Sequence, residues 1–170
     1  ILILKNGYEY TTDKNNSSTS LAKLILDDNT TKDITKKDGF MWVKDGEQLQ
    51  AMNTNLGGNY AFRNSIDLND TADNKVTFNS VGPNPLTKGF TGNLDGLGYE
   101  VYGLHINEDD AYTGLFAKTD GATIRNFNLI SGSITSKSEN AGAVVGNANS
   151  TVIENVKNTI NVTGTNNVGG

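Results

Sequence analysis

The chain has one histidine, His105, and no cysteine, which narrows its chemistry at once. Cysteine nucleophiles, zinc clusters and multi-histidine metal sites are excluded, and a Ser-His-Asp triad would have to use His105. In a recurring sequence pattern His105 takes the place held elsewhere by Asn128 and Lys157. Those are outward polar positions, so a surface histidine is expected. Carboxylates remain: glycoside hydrolysis needs two that converge, and polysaccharide lysis needs calcium with a basic residue. The acids available are Glu108, Asp109 and Asp110, which are consecutive, and the isolated Asp67, Asp95 and Asp120. A consecutive run suits a solvated turn. Asp95, within Asn93-Leu94-Asp95-Gly96, suits a side chain that hydrogen-bonds its own turn. The expectation is a non-enzyme with no catalytic residue, no metal and no cofactor.

Modification chemistry is the other option that these residue types offer. Six Asn-x-Ser/Thr sequons occur, at Asn15, Asn16, Asn29, Asn69, Asn149 and Asn161, and each is a candidate glycan acceptor. Asparagine is the commonest residue, with 24 copies, so composition alone nearly accounts for that number. The competing reading is that they are turn asparagines.

The elements that would position these residues follow from a repeat. Phe90 to Asn107 (FTGNLDGLGYEVYGLHIN) is a glycine-punctuated turn feeding a strand, and its second half returns as Ala122 to Leu129 (ATIRNFNL) and Thr151 to Asn158 (TVIENVKN). The copies start at Val101, Ile124 and Ile153, giving spacings of 23 and 29 residues, in the range of solenoid repeats. In a flat strand Ile124 and Phe127 would face opposite sides, so a bend must lie between them. Gly103, Asn126 and Asn155 occupy that position, and Gly and Asn are the residues that most readily take positive φ. The expected fold is all-β: a single-stranded parallel β-helix in which Gly103, Asn126 and Asn155 stack at equivalent corners. An antiparallel sandwich would explain the glycines but not the recurrence.

Composition agrees. The chain of 170 residues has 19 Gly, 2 Pro and a hydrophobic fraction of 35%, which suits an elongated, turn-rich β protein. A net charge of −5 with both signs scattered offers nothing to nucleic acid, and no apolar run approaches the roughly 20 residues that span a bilayer.

Along the chain, residues 1–39 read as less regular coils, with a polar loop over Asp13 to Ser20. Residues 40–58 read as an apolar strand plus one short helix near residues 45–55, and 59–170 as regular coils. In the helix, Asp45 is the expected N-cap with Gln48 completing a capping box, and Leu49, Met52 and Leu56 share a face. The helix is expected to lie as a lid with Trp42 packed beneath it; Trp42 and Tyr60 as a sugar-stacking platform is the alternative. Asn167-Val168-Gly169-Gly170 matches Tyr112-Thr113-Gly114-Leu115 and Asn140-Ala141-Gly142-Ala143, so the last coil reads as truncated and the chain as a fragment of a longer repeat protein.

One set of residues carries a resemblance to a known group: Trp42-Val43, Glu47 to Asn53, Asn59-Tyr60-Ala61, Ile66-Asp67-Leu68, Phe90 to Gly96 and Gly98-Tyr99. It resembles the filamentous-haemagglutinin-like and high-molecular-weight adhesins exported by two-partner secretion. Gly114-Leu115-Phe116, Gly142 to Gly146 and Val168-Gly169-Gly170 resemble the repeats called GLUG motifs. The resemblance implies a right-handed β-helix within a secreted bacterial cell-surface fibre, its partners a host-cell receptor or glycan and, during export, an outer-membrane transporter. Right-handedness also agrees with the general rule for parallel crossovers. Only Asn84-Pro85-Leu86 approaches the Asn-Pro motifs of the secretion domain in such proteins, so a fibre segment downstream of that domain is implied. Adhesion through the outward loops Asp13 to Ser20, Asn69 to Lys75 and Asn107 to Ala111 is the expected role. A structural spacer and a polysaccharide-active enzyme are the alternatives.

Overall fold

A computed structural model describes residues 40–69, 78–82, 89–137 and 139–170, together with the backbone of strands at 2–3 and 9–11. The described chain is mostly strand joined by turns, with one short helix. The first strands are β1 (Leu2–Ile3), β2 (Glu9–Thr11) and β3 (Phe40–Val43), paired antiparallel in that order. From β3 onward every pairing among the described strands is parallel, which excludes the antiparallel sandwich.

After β3 come helix α1 (Gly46–Ala51), a 3-10 turn (Met52–Thr54), β4 (Asn59–Phe62) and β5 (Ile66–Asp67). The next pass of the chain holds β6 (Asn93–Asp95), β7 (Glu100–Tyr102), β8 (Leu104–Glu108), β9 (Tyr112–Thr113) and β10 (Phe116–Asp120). A third pass holds β11 (Thr123–Leu129), β12 (Gly132–Ser136), β13 (Asn140–Gly142) and β14 (Val145–Asn149), and the last holds β15 (Val152–Asn158), β16 (Asn161–Thr163) and β17 (Val168–Gly169).

The register joins like to like. β8, β12 and β16 form one sheet with Ile106, Ile134 and Val162 in line. β9, β13 and β17 form another, and it sets the glycine boxes of the sequence against each other, Gly142 opposite Gly169. In the largest sheet Ile124 of β11 stands between Leu94 and Ile153. The partners are therefore separated by 28 residues from Leu104 to Gly132, 29 from Ile124 to Ile153 and 30 from Leu94 to Ile124. The interval of 23 from Val101 to Ile124 is not a repeat, because Val101 pairs with Leu129. The pass containing β6 and β7 reaches that point by a longer route: Gly96 to Tyr99 bulge out where β11 turns on Asn126 alone, with positive φ at Leu97 (52°) and Gly98 (85°).

The inward residues of these sheets make one continuous core, which includes Val43, Leu49, Met52, Phe62, Ile66, Phe90, Phe116, Ile124 and Phe127. Rings pack along it, with Phe90 on Phe116 at 4.7 Å and Phe62 on Phe127 at 5.6 Å between centroids. Helix α1 forms as its sequence directs: the Asp45 carboxylate accepts from the Gln48 amide at 2.8 Å, satisfying an otherwise orphan helix donor. The reciprocal half of the capping box is shifted by one residue, since the Gln48 side chain accepts from the amide of Lys44 at 3.1 Å. Leu49 and Met52 are fully buried beneath the helix. Trp42 is not beneath it. Alternation along β3 sends Met41 and Val43 into the main core, while Trp42 packs edge-on against Phe40, beside Ala61 and Leu97, in a second cluster on the other face.

Tyr60 lies in the main core, 1% exposed, its hydroxyl donating to the Asn55 carbonyl at 2.9 Å. Burial pushes its pKa far above the ordinary tyrosine value. An unfolded chain releases this proton near pH 10 while the folded chain holds it, so stability is expected to fall as pH rises past about 10. Tyr60→Phe is expected to flatten that fall in urea titrations across alkaline pH, at a cost near neutrality of about 1 kcal/mol for the lost hydrogen bond.

Candidate functional site

The polar residues that could carry chemistry hold one pass of the chain to the next. The most developed group is built on β6, β11 and β15, where Asp95, Arg125 and Glu154 fall in one row because each strand presents the same register position. The Asp95 side chain is only 7% exposed. It accepts from Arg125 Nε at 3.1 Å, from Asn126 Nδ2 at 3.0 Å and from the Leu97 amide at 3.1 Å. The last of these is the turn bond expected from the sequence. Beside it runs an amide ladder in which Asn155 Nδ2 donates to Asn126 Oδ1 at 3.1 Å. Asn126 (φ 60°) and Asn155 (φ 52°) share the left-handed backbone conformation that their residue type tolerates.

Gly103 does not belong to this column. Its φ is 67°, but it lies between β7 and β8 and its amide donates to Ser131 Oγ at 2.9 Å. The position opposite Asn126 is taken instead by Gly96 to Gly98, with the Gly98 amide donating to the Asn126 carbonyl at 2.7 Å.

The outer pair of the ionic row, Arg125 to Glu154 at 3.5 Å, is half exposed and contributes little. Asp95 is different, because its buried carboxylate accepts from three half-buried donors at once and removing it takes all three bonds away. Asp95→Ala is expected to cost about 2 kcal/mol and Asp95→Asn about 1 kcal/mol, read as shifts of the urea midpoint at constant slope.

The remaining acids separate. Asp67 accepts from the Asn69 amide at 2.8 Å and Asp120 from Asn149 Nδ2 at 2.8 Å. Asp109 pairs with Lys137 at 3.3 Å, both exposed, and Asp110 is exposed. Glu108 is not the solvated turn residue that the run suggested. Its carboxylate accepts from both the amide (2.9 Å) and the hydroxyl (2.6 Å) of buried Ser80, whose oxygen accepts in turn from the Gly114 amide at 3.2 Å. The 78–82 segment is held on its other side by Gln50, whose amide exchanges two bonds with the Asn79 backbone, and by Asn53, which accepts from the Gly82 amide at 2.7 Å. Sequence reasoning missed these clamps. Among the described residues no group of three or more His, Cys, Asp or Glu is placed to hold a metal ion.

His105 is exposed on β8, its Nδ1 at 3.1 Å from Ser133 Oγ. Its row is that of Ser133 and Asn161, not that of Asn128 and Lys157, which pair with each other; the false 23-residue interval had merged the two rows. Trp42 (3% exposed) and Tyr60 (1%) are buried in separate clusters, so they form no stacking platform.

Of the sequons, Asn15, Asn16 and Asn29 lie outside the described residues. Asn69, Asn149 and Asn161 are exposed, Asn149 with its side chain bonded to Asp120. Of the candidate contact loops, Asp13 to Ser20 and all of Asn69 to Lys75 beyond Asn69 also lie outside the described residues. In Asn107 to Ala111, Asn107, Asp109, Asp110 and Ala111 are exposed and Glu108 is half-buried.

Comparison with known proteins gives two likenesses. The family described as M26 IgA1-specific Metallo-endopeptidase N-terminal region matches residues 12–163. Halomucin of Haloquadratum walsbyi is 35% identical over 132 residues, which cover 72% of this chain but 1% of halomucin. No solved structure matches.

Proposed function

The chain belongs to the family of the M26 IgA1-specific Metallo-endopeptidase N-terminal region, and from that premise we propose that it is a non-catalytic, right-handed single-stranded parallel β-helix within a secreted bacterial surface exoprotein, mediating adhesion through its outward loops. One observation carries the non-catalytic reading: the carboxylates of Asp95 and Glu108 accept from side chains of neighbouring passes, Asp95 from half-buried Arg125 and Asn126 and Glu108 from buried Ser80. The β-helix is supported by like strands pairing in parallel at intervals of 28 to 30 residues. Adhesion rests on the likeness to filamentous-haemagglutinin-like exoproteins and on the exposed stretch around Asn107 to Ala111. The partner on this reading is a host-cell receptor or glycan, with an outer-membrane transporter engaged during export.

A second reading is favoured by the family description itself. An N-terminal region of an endopeptidase suits a stiff spacer that holds another domain away from a surface. The two are separated by a cell and glycan-array binding assay on the chain and on a variant with Asp109, Asp110 and Ala111 replaced by Gly-Ser-Gly. Adhesion requires that the chain bind and that the variant bind less with an unchanged melting curve. Binding seen only with a longer protein would leave the spacer.

A further inference from the structure

The sheet of β8, β12 and β16 turns one broad side to the core and the other to solvent. Ile106, Ile134 and Val162 align on the inner side. Alternation puts two rows on the outer side: His105, Ser133 and Asn161 in one, and Asn107, Thr135 and Thr163 in the other. His105, Asn107, Asn161 and Thr163 are exposed, and Ser133 and Thr135 are half-buried.

Charge sets this face apart. The largest sheet carries Asp95, Arg125 and Glu154 in one row and Glu100, Asn128 and Lys157 in another, and β10 carries Lys118 and Asp120. The six outer residues of β8, β12 and β16 include no acid, no lysine and no arginine. Their hydrogen-bonding groups are also left over. Elsewhere side-chain amides pair from pass to pass, Asn155 with Asn126 and Asn167 with Asn140, each at 3.1 Å. On this face His105 Nδ1 meets Ser133 Oγ, but the side chains of Asn107, Thr135, Asn161 and Thr163 bond to no described residue.

Geometry repeats these groups at a fixed interval. Neighbouring parallel strands stand about 4.8 Å apart, so each row offers a new uncharged donor and acceptor at that step. An extended chain of β-1,4-linked sugar rings advances by a similar step per ring and carries uncharged hydroxyls on each. A charged polymer finds no counter-charge here.

We infer that this outer face binds an extended neutral glycan lying across the strands, its hydroxyls exchanging hydrogen bonds with Ser133, Thr135 and the amides of Asn107 and Asn161. The inference rests on the adhesion reading above and deepens it by naming the ligand class and its seat. Asn107 joins this face to the exposed stretch that ends at Ala111.

The test titrates the chain with cellobiose, cellohexaose, N-acetylchitohexaose and a heparin hexasaccharide, read by calorimetry and amide chemical shifts. At least one neutral hexasaccharide is expected to bind, with shifts centred on β8 and β12. Cellohexaose is expected to bind about tenfold more tightly than cellobiose, as bonds from successive passes add. Ser133→Ala combined with Thr135→Val is expected to weaken binding about tenfold through the loss of two neutral hydrogen bonds, with the melting curve unchanged. The Gly-Ser-Gly replacement at Asp109 to Ala111 is expected to leave hexasaccharide binding intact. If neither neutral hexasaccharide binds while the chain still binds cells, the inference is overturned and adhesion stands. Cell binding that is lost in the Ser133 and Thr135 variant without any hexasaccharide binding overturns it in favour of a protein receptor on this face. Tighter binding of heparin, or loss of hexasaccharide binding in the loop variant alone, overturns the ligand class or the seat. Binding to neither cells nor any glycan overturns adhesion and the inference together.

Discussion

Replacing Gly132 with alanine is expected to lower stability by about 4 kcal/mol, a large share of the total of about 5–15 kcal/mol typical of folded domains. Gly132 opens β12 with φ 136°, a conformation that strains any residue with a Cβ by about 1–3 kcal/mol. Space compounds the strain. A Cβ there would overlap the carbonyl oxygen of Leu104 and press on its carbonyl carbon and amide nitrogen. These are backbone atoms of the paired strand and cannot swing aside as a side chain could. Relief requires β8 and β12 to separate, which loosens the register from Leu104–Gly132 to Glu108–Ser136, at about 1 kcal/mol for each hydrogen bond lost. Gly98→Ala isolates the conformational part, since Gly98 has φ 85° and an added Cβ there would meet nothing within 4 Å. It is expected to cost about 1–2 kcal/mol. Urea unfolding of both variants separates the effects, and equal small losses would show that the approach of β8 to β12 is not held as described.

The same strand pair shows what could be read in advance. Local signals came through: Asp45 and Gln48 mark a helix start by their spacing alone, and the bond from Gln48 to Asp45 forms. Positive φ at Asn126 and Asn155 likewise follows from residue type and the need for a bend. The phase of the repeat did not come through. Gly103-Leu104-His105-Ile106 imitates Asn126-Phe127-Asn128-Leu129, with apolar residues at the same offsets, yet it belongs to the next strand, because Gly96 to Tyr99 lengthen the preceding bend. The side of β3 that faces the core was also hidden, since Phe40, Met41, Trp42 and Val43 are all apolar and all buried, so alternation leaves no mark. The clamps on the 78–82 segment join residues far apart in sequence by side chain to backbone bonds, which have no local signature. Their separations are informative all the same: 29 for Gln50 to Asn79, 29 for Asn53 to Gly82 and 28 for Ser80 to Glu108. Extending an interval of 28 to 30 residues back past Tyr60 points to these pairs.

Phe127→Ala is expected to produce the other large loss, about 3–5 kcal/mol, as for other buried phenylalanine deletions. Phe127 is 1% exposed and packs against Phe62 at 5.6 Å, and in register it stands opposite Val156 of the following pass. A methyl group in its place leaves a void whose walls belong to the ladders on either side, and those ladders cannot close on it without breaking register. Val156→Ala, in the same column but half-buried, is expected to cost about 1 kcal/mol. The consequence reaches beyond the size of the loss. β15 pairs with β11 and with no other described strand, so its only hold on the rest of the sheet passes through the strand that carries Phe127. With that contact emptied, the last pass is expected to open before the rest, giving a shallower urea transition and faster exchange in β15 than in β6. A single transition with an undiminished slope would show instead that the passes unfold as one unit, and that the coupling between them does not depend on the ring at this position.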